Sequence, residues 1–166
     1  MSNTDQPHCP ILERGQIIPT FTLPGTDGMP HSPWDYKQRE HLLLLFINTT
    51  TTSEAHDLLR SYAQQYAEFR EEQCSLLVIS SDTVLSNLQT QEELRLPFAL
   101  VSDALGNTIK RYTQWAQATH TFLPAVVLAD RYNALYEQKI AASTTELPAI
   151  QETLESLGYL NHICAP

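Results

Sequence analysis

The chain has 166 residues, of which 42% are hydrophobic and 17% charged, enough for one globular domain with a sizeable core. Its formal net charge is -9, from 10 basic and 19 acidic residues, so we expect neither a nucleic-acid partner nor a membrane partner. The first residues lack a basic start followed by an apolar core, which is what a secretory signal requires. We therefore expect a cytoplasmic location.

Three cysteines, Cys9, Cys74 and Cys164, limit the sulfur chemistry of the chain. Their odd number and the absence of a CxxC pair argue against a disulfide scaffold and a four-cysteine zinc site. Cys74 opens the apolar run CSLLVIS and is expected to be buried. Together with His8 and His162, the two terminal cysteines could bind zinc if the chain ends meet, but incidental residues in the terminal segments are the favoured interpretation. We expect no metal and no cofactor.

The first part of the chain is polar and rich in turn residues. Residues 1–12 predict an N-terminal arm. Residues 17–23 alternate around Pro19, and the sequence PGTDG at 24–28 predicts a turn. The sequence SPWDYK at 32–37 predicts a short helical turn that leads into the next strand.

The centre of the sequence is the stretch HLLLLFINTTTTSE. The five apolar residues Leu42–Phe46 predict a strand that is buried on both faces. Four threonines, 49–52, follow, and Thr51-x-x-Glu54 matches a capping box at the start of a helix over residues 53–72. A helix start that follows a buried strand offers free N–H donors and a positive dipole end, so ligands and nucleophiles often lie there.

The rest of the chain alternates between strands and helices. The predicted elements are strands over residues 76–79, 96–103, 121–129 and 134–142, and helices over residues 83–94, 104–115 and 143–157. Ser143-x-x-Glu146 matches a capping box for the last helix, and Gly158 predicts its end. The alternation predicts a single α/β domain with parallel strands and a hairpin at the sheet edge.

Five short motifs, in this order and spacing, resemble those of the peroxiredoxins, the alkyl hydroperoxide reductase and thiol-specific antioxidant family. They are GxxxPxFxLxxxDG at 15–28, WDYK at 34–37, ISSD at 79–82, LPF to SD at 96–103, and TFLP to LADR at 121–131. The resemblance covers residues 13–160 and implies a thioredoxin-like α/β fold, with a central mixed sheet flanked by helices and residues 161–166 as a C-terminal tail. It also implies a homodimer, and leaves any protein or small-molecule partner unidentified.

The family's active loop has the pattern Pro-x-x-x-Thr/Ser-x-x-Cys. In this sequence the proline position is Asn48, the threonine is Thr52, and the position of the peroxidatic cysteine is Ala55. The family arginine, which lowers the pKa of the thiol and polarises the peroxide, falls near Pro124. Only the threonine is retained, so these four residues form a degenerate site, and we assign no catalytic residue.

Two functions remain open at this point. Aligned with the thioredoxin CxxC motif, the two cysteine positions fall on about Thr51 and Glu54, so the loop lacks sulfur in either alignment. Because neither a threonine hydroxyl nor a methyl group replaces a thiolate, the leading interpretation is a non-catalytic binding or assembly role. The alternative is an antioxidant oxidoreductase that reduces peroxides with a relocated cysteine.

Three local features of the site each have a functional and a structural interpretation. The threonines at 49–52 could bind a small anion or carboxylate, but helix capping is favoured. His56 could act as a base for Thr52, but a solvent-exposed position is favoured. If the fold is that of thioredoxin, Pro124 is expected to follow a cis peptide bond, and the backbone beside it either pairs with an extended substrate or shapes the core.

Overall fold

A computed structural model describes residues 10–116, 118–119 and 121–163. Nine strands are present in this part of the chain: β1 (Leu23–Pro24), β2 (Pro30–His31), β3 (His41–Phe46), β4 (Cys74–Ser80), β5 (Leu100–Ser102), β6 (Trp115–Ala116), β7 (Thr121–Phe122), β8 (Ala125–Ala129) and β9 (Leu135–Ile140). The α-helices are α1 (Ser53–Glu71), α2 (Val84–Leu94) and α3 (Ile150–Ile163), and short 3-10 helices cover Pro33–Asp35, Ile109–Arg111 and Thr144–Glu146. No helix among the described residues combines the length and apolar character that a membrane span requires.

The central sheet has the strand order β5-β4-β3-β8-β9. Strands β3, β4 and β5 run parallel, whereas β8 is antiparallel to β3, and β9 is antiparallel to β8. Strand β3 is therefore the middle strand of a mixed sheet, as its unbroken apolar sequence predicts. The pairs β1–β2 and β6–β7 form two small separate sheets.

Both faces of β3 are covered, so its side chains divide between two apolar clusters. Leu43 and Leu45 pack with residues of α1 and α3 on one face. Leu42, Leu44 and Phe46 face the other side, where the ring of Phe46 stacks on Tyr112 with 4.9 Å between ring centroids. Each fully buried leucine of this kind stabilises the fold by about 1.5–3 kcal/mol.

Helix α1 follows the predicted range within one residue, but its N-terminus differs in detail. Thr52 is the N-cap, and its hydroxyl accepts a hydrogen bond from the Ala55 N–H at 3.2 Å. The predicted capping box of Thr51 and Glu54 is therefore wrong by one residue. The apolar stripe of α1 faces the sheet as predicted, with Leu59 among its fully buried members.

The helix predicted over residues 104–115 is wrong. Only the 3-10 turn Ile109–Arg111 forms, because the buried Asp103 carboxylate accepts hydrogen bonds from the N–H groups of Thr108 and Ile109, both at 2.9 Å. Gly106 lies at a φ of 71°, which a continuous helix does not allow. The predicted strand over residues 121–129 is divided in two, and its parts β7 and β8 belong to different sheets.

The last helix starts later and ends later than predicted. Ser143 makes no capping bond with its side chain, and α3 begins at Ile150. Gly158 lies inside the helix instead of ending it. The cost of an internal glycine, about 1 kcal/mol, is offset because its neighbours Leu157 and Leu160 are buried in the core. Residues 161–163, expected in the tail, are the last turn of α3.

Candidate active-site cleft

A cleft of about 470 Å³ lies where β3 ends, between the start of α1, the segment 121–124 and residues 142–144. The four predicted positions, Asn48, Thr52, Ala55 and Pro124, all line it. The structure thus brings together residues that are up to 76 positions apart in the sequence.

No sulfur atom lines this cleft within the described part of the chain. Ala55 lies in the first turn of α1, is 2% exposed, and places a methyl group beside the cleft. Cys74 is fully buried at the start of β4. In the register of the sheet it lies opposite His41, at the end of β3 that is farther from Ala55. At about 3.3 Å per residue, the length of β3 separates the two ends by roughly 17 Å. Burial raises the pKa of the Cys74 thiol, so no thiolate forms there near neutral pH.

Asn48 joins the loop after β3 to strand β7. Its side-chain Oδ1 accepts a hydrogen bond from the Phe122 N–H at 2.8 Å, and its Nδ2 donates to the Phe122 carbonyl. One amide group thus satisfies both backbone polar groups of a residue that is 3% exposed. A proline at this position has neither the donor nor the acceptor in its side chain.

The backbone beside Pro124 is occupied by hydrogen bonds within the protein. The Leu123 N–H donates to the Gln114 carbonyl at 2.9 Å, and the Leu123 carbonyl accepts from the Thr113 hydroxyl at 2.7 Å. These groups are the ones that an extended substrate would pair with, so the structural interpretation of this segment is favoured. The predicted cis bond before Pro124 is wrong, because no peptide bond in the described residues is cis.

The threonine loop hydrogen-bonds to Asp82, a residue that sequence reasoning did not assign to the site. The Oδ2 atom of Asp82 lies 2.6 Å from the Thr50 N–H nitrogen and 3.1 Å from the hydroxyl oxygens of Thr49 and Thr50. The ISSD sequence contained the signal, since it follows the strand next to β3. The carboxyl ends of adjacent parallel strands meet at one edge of a sheet.

His56 is partly buried, in contrast to the exposed position that we expected. Its Nε2 atom is buried and has no hydrogen-bond partner among the described residues. The residue does not line the cleft, so the arrangement gives no support to a base for Thr52. Thr51 and Glu54, the alternative positions from the CxxC alignment, are both exposed.

The terminal zinc site, the less favoured alternative in the sequence, lies mostly outside the described residues, since His8, Cys9 and Cys164 are not among them. His162 is exposed near the end of α3. Elsewhere in the described ranges, no group of three or more His, Cys, Asp or Glu side chains is arranged to hold a metal ion.

Known proteins resemble the chain at the levels of sequence and fold. Among curated relatives, the chain is 25% identical over 114 residues to a chloroplastic peroxiredoxin Q of Oryza sativa subsp. japonica and 27% identical over 111 residues to one of Populus jackii. These matches cover 69% and 67% of this chain, but 51% and 50% of the relatives. The chain therefore spans about half the length of the curated relatives it matches.

Two solved structures share the fold. The peroxidoxin BcpB of Mycobacterium tuberculosis superposes with a TM-score of 0.80 at 18% identity, over 90% of this chain and 99% of that one. The mitochondrial 2-Cys peroxiredoxin of Plasmodium falciparum gives a TM-score of 0.80 at 20% identity, over 91% and 95% of the two chains. These likenesses confirm the predicted thioredoxin-like fold of peroxiredoxin type.

The family model of AhpC/TSA matches residues 14–138, which is well over half of the sequence. The match includes the central strand β3, the threonine loop and the segment around Pro124. With the fold and the cleft described above, it establishes that the chain belongs to the AhpC/TSA family.

Proposed function

We propose that this member of the AhpC/TSA family does not reduce peroxides through a thiolate, and that it acts by binding a partner in the cleft beside Ala55. The observation that carries the proposal is the methyl group of Ala55 at the family's cysteine position, in a cleft whose described lining holds no sulfur. Attack on a peroxide O–O bond requires a nucleophilic electron pair, which a methyl group does not have.

The electrostatics of the cleft support the same conclusion. Among the described residues that line the cleft, Glu54 is the only ionisable side chain, and none is an arginine or lysine. The resemblance places the family's arginine near Pro124, and no described residue that lines the cleft carries a guanidinium to lower the pKa of a thiol or to polarise a peroxide. Within the described lining, the N-terminus of α1 is the feature that would stabilise a negative charge.

The shape and lining favour an uncharged small molecule as the bound partner. Ile47, Phe122 and Leu123 supply apolar surface, while Gln114 and Thr121 supply neutral hydrogen-bonding groups. Apolar walls with a few convergent polar groups are typical of small-molecule sites. The cleft has the position of the family's active site, but its described side chains are suited to binding a molecule and not to reacting with it.

The test compares peroxide consumption in the presence of a thiol reductant. We expect the wild-type protein to match the uncatalysed rate and the double variant Ala55→Cys/Pro124→Arg to exceed it. The matched control is Ala55→Ser/Pro124→Arg, which has nearly the same shape but no sulfur. Turnover by the wild-type protein that exceeds the control would refute the proposal.

The alternative, a relocated cysteine, needs a second measurement. After a peroxide pulse, trapping of sulfenic acid with a dione reagent followed by peptide mass spectrometry reports each thiol separately. We expect Cys74 to remain unmodified because it is buried. Two results together would establish the alternative. Cys9 or Cys164 would be labelled stoichiometrically in the wild-type protein, and the corresponding Cys→Ser variant would lose both the label and the peroxide consumption.

A further inference from the structure

One oxygen atom of Asp82 receives hydrogen bonds from two consecutive residues of the threonine loop. The Thr50 backbone N–H donates at 2.6 Å, and the Thr49 hydroxyl donates at 3.1 Å. The Thr50 hydroxyl lies 3.1 Å from the same oxygen, 3.0 Å from Oδ1 of Asn87 and 3.3 Å from the Thr90 hydroxyl, so its one proton is shared among three acceptors. Thr50 is fully buried, so these donors would be costly to leave without an acceptor.

The loop is organised to present these donors. The Thr51 N–H donates to the Thr49 hydroxyl oxygen at 3.2 Å, and the Thr51 hydroxyl lies 2.9 Å from the same oxygen. When the Thr51 hydroxyl donates, the Thr49 proton is directed to Asp82. On the other side, Ser102 donates from its hydroxyl to the Asp82 carbonyl, and the Asp82 N–H donates to the Ser80 hydroxyl at 3.3 Å. The Asp82 backbone is thus held beside the loop, to which the neighbouring Ser81 hydroxyl also bonds through the Asn48 carbonyl at 2.8 Å.

A backbone N–H and hydroxyl groups that converge on one carboxylate oxygen form an oxyanion site. We propose that Asp82 is a specificity-determining residue, whose carboxylate permanently fills an oxyanion site formed by Thr49 and Thr50 and thereby prevents the loop from binding an external anion. The Asp82 carboxylate thus takes the place of an external anion at the threonine loop. The consequence for the cleft is that the Thr49 hydroxyl, which lines it, is taken up by Asp82 and is unavailable to a charged ligand.

The proposal is independent of whether the protein reduces peroxides, and it predicts chemical rescue. Removal of the side chain in Asp82→Ala leaves the donors of Thr49 and Thr50 around a vacant position. Formate has the size and charge of the missing carboxylate, so it should bind there and stabilise the variant. Asp82 is only partly buried in the wild-type protein, so the vacancy is open to solvent.

The experiment measures the midpoint of thermal unfolding in sodium formate and in sodium chloride at equal ionic strength. We expect Asp82→Ala to unfold roughly 5 °C below the wild-type protein in chloride, the scale for leaving a buried N–H without its acceptor in a domain of this size. Formate should recover part of this loss, by an amount that rises with the logarithm of its concentration. The wild-type protein should respond equally to both salts.

Two further variants separate a site from a general salt effect. Asp57→Ala removes a carboxylate on the exposed face of α1, so formate and chloride should affect it equally. Asp82→Asn keeps an acceptor in place and should also show no preference for formate. A response of Asp82→Ala that is the same in both salts, or a formate response shared by Asp57→Ala, would overturn the proposal. If Asp82→Ala does not fold in chloride, its yield on refolding in formate gives the same comparison.

Discussion

The hydrogen bonds between Asn48 and Phe122 give the sharpest prediction about the cleft. In Asn48→Ala, the Phe122 N–H loses its 2.8 Å bond and the Phe122 carbonyl loses its donor. Leaving one buried polar group unsatisfied costs about 1–3 kcal/mol. Because water in the cleft can replace part of the loss, we expect the free energy of unfolding to fall by about 2–3 kcal/mol for the pair.

The assay is urea unfolding, together with hydrogen exchange of the Phe122 amide in the native protein. For a protein of this size, the expected loss lowers the unfolding midpoint by about 4–12 °C in a thermal scan. Asn107→Ala is the matched control, since Asn107 is exposed. If Asn48→Ala is no less stable than Asn107→Ala, and exchange at Phe122 is not accelerated, the Asn48 bonds do not hold the cleft together.

Three further predictions concern the packing around the sheet. Leu44→Ala, at a fully buried position of β3, should lower the free energy of unfolding by about 2–5 kcal/mol in urea. Gly25→Ala should lower the free energy of unfolding by about 1–3 kcal/mol in the same assay, because its Cβ would lie 2.5 Å from the His31 ring. The Cβ of Gly158→Ala meets nothing within 4 Å, so that variant should be as stable as the wild-type protein or more stable. Burial lowers the pKa of His41 in the folded protein, so the unfolded chain binds the proton more readily. Stability should therefore be lost as the pH falls below about 6.5, and His41→Gln should flatten that dependence in unfolding measured against pH.

The parts of the fold that sequence could predict are those with strong local patterns. The apolar run of β3 has no polar position at which a helix or an exposed strand could face water, so a buried strand is its natural structure. Helix α1 repeats its apolar residues at helical spacing, and its buried face in the structure includes Leu59 and Phe69. Both elements carry their own signal, and neither depends on a distant partner for its type.

The errors arose where buried side chains, polar in one case and apolar in the other, compete with local propensity. Residues 104–115 have a helical apolar pattern, but the Asp103 carboxylate takes the N–H groups of Thr108 and Ile109 into a tight turn. Near the other end of the chain, Gly158 predicts the end of a helix, but α3 continues through it because the neighbouring leucines are buried in the core. In both places the tertiary environment contributes more free energy than the local preference.

The site shows the same division between local identity and distant contacts. The alignment of the active loop placed Asn48 and Ala55 beside the cleft because those positions depend on spacing along one loop and one helix. It could not show that Asn48 bonds to a residue 74 positions away, or that Asp82 bonds to the loop across 32 positions. The ISSD motif places Asp82 at the same sheet edge as the loop, but a single sequence carries no direct signal for either bond, since each partner alone is an ordinary polar residue.

The departures from the family pattern are consistent with one another. A reactive thiolate needs a cysteine and a nearby cation, and in the alignment on which our proposal rests both are missing, at Ala55 and near Pro124. Asn48 adds two bonds that fix the loop to the opposite wall of the cleft. Losing the cysteine alone would leave a site that still attracts anions through its threonines and its helix N-terminus. Because Asp82 takes up donors of Thr49 and Thr50, we propose that the cleft holds an uncharged molecule, and we expect that restoring the sulfur without a cation does not by itself restore an activated thiol.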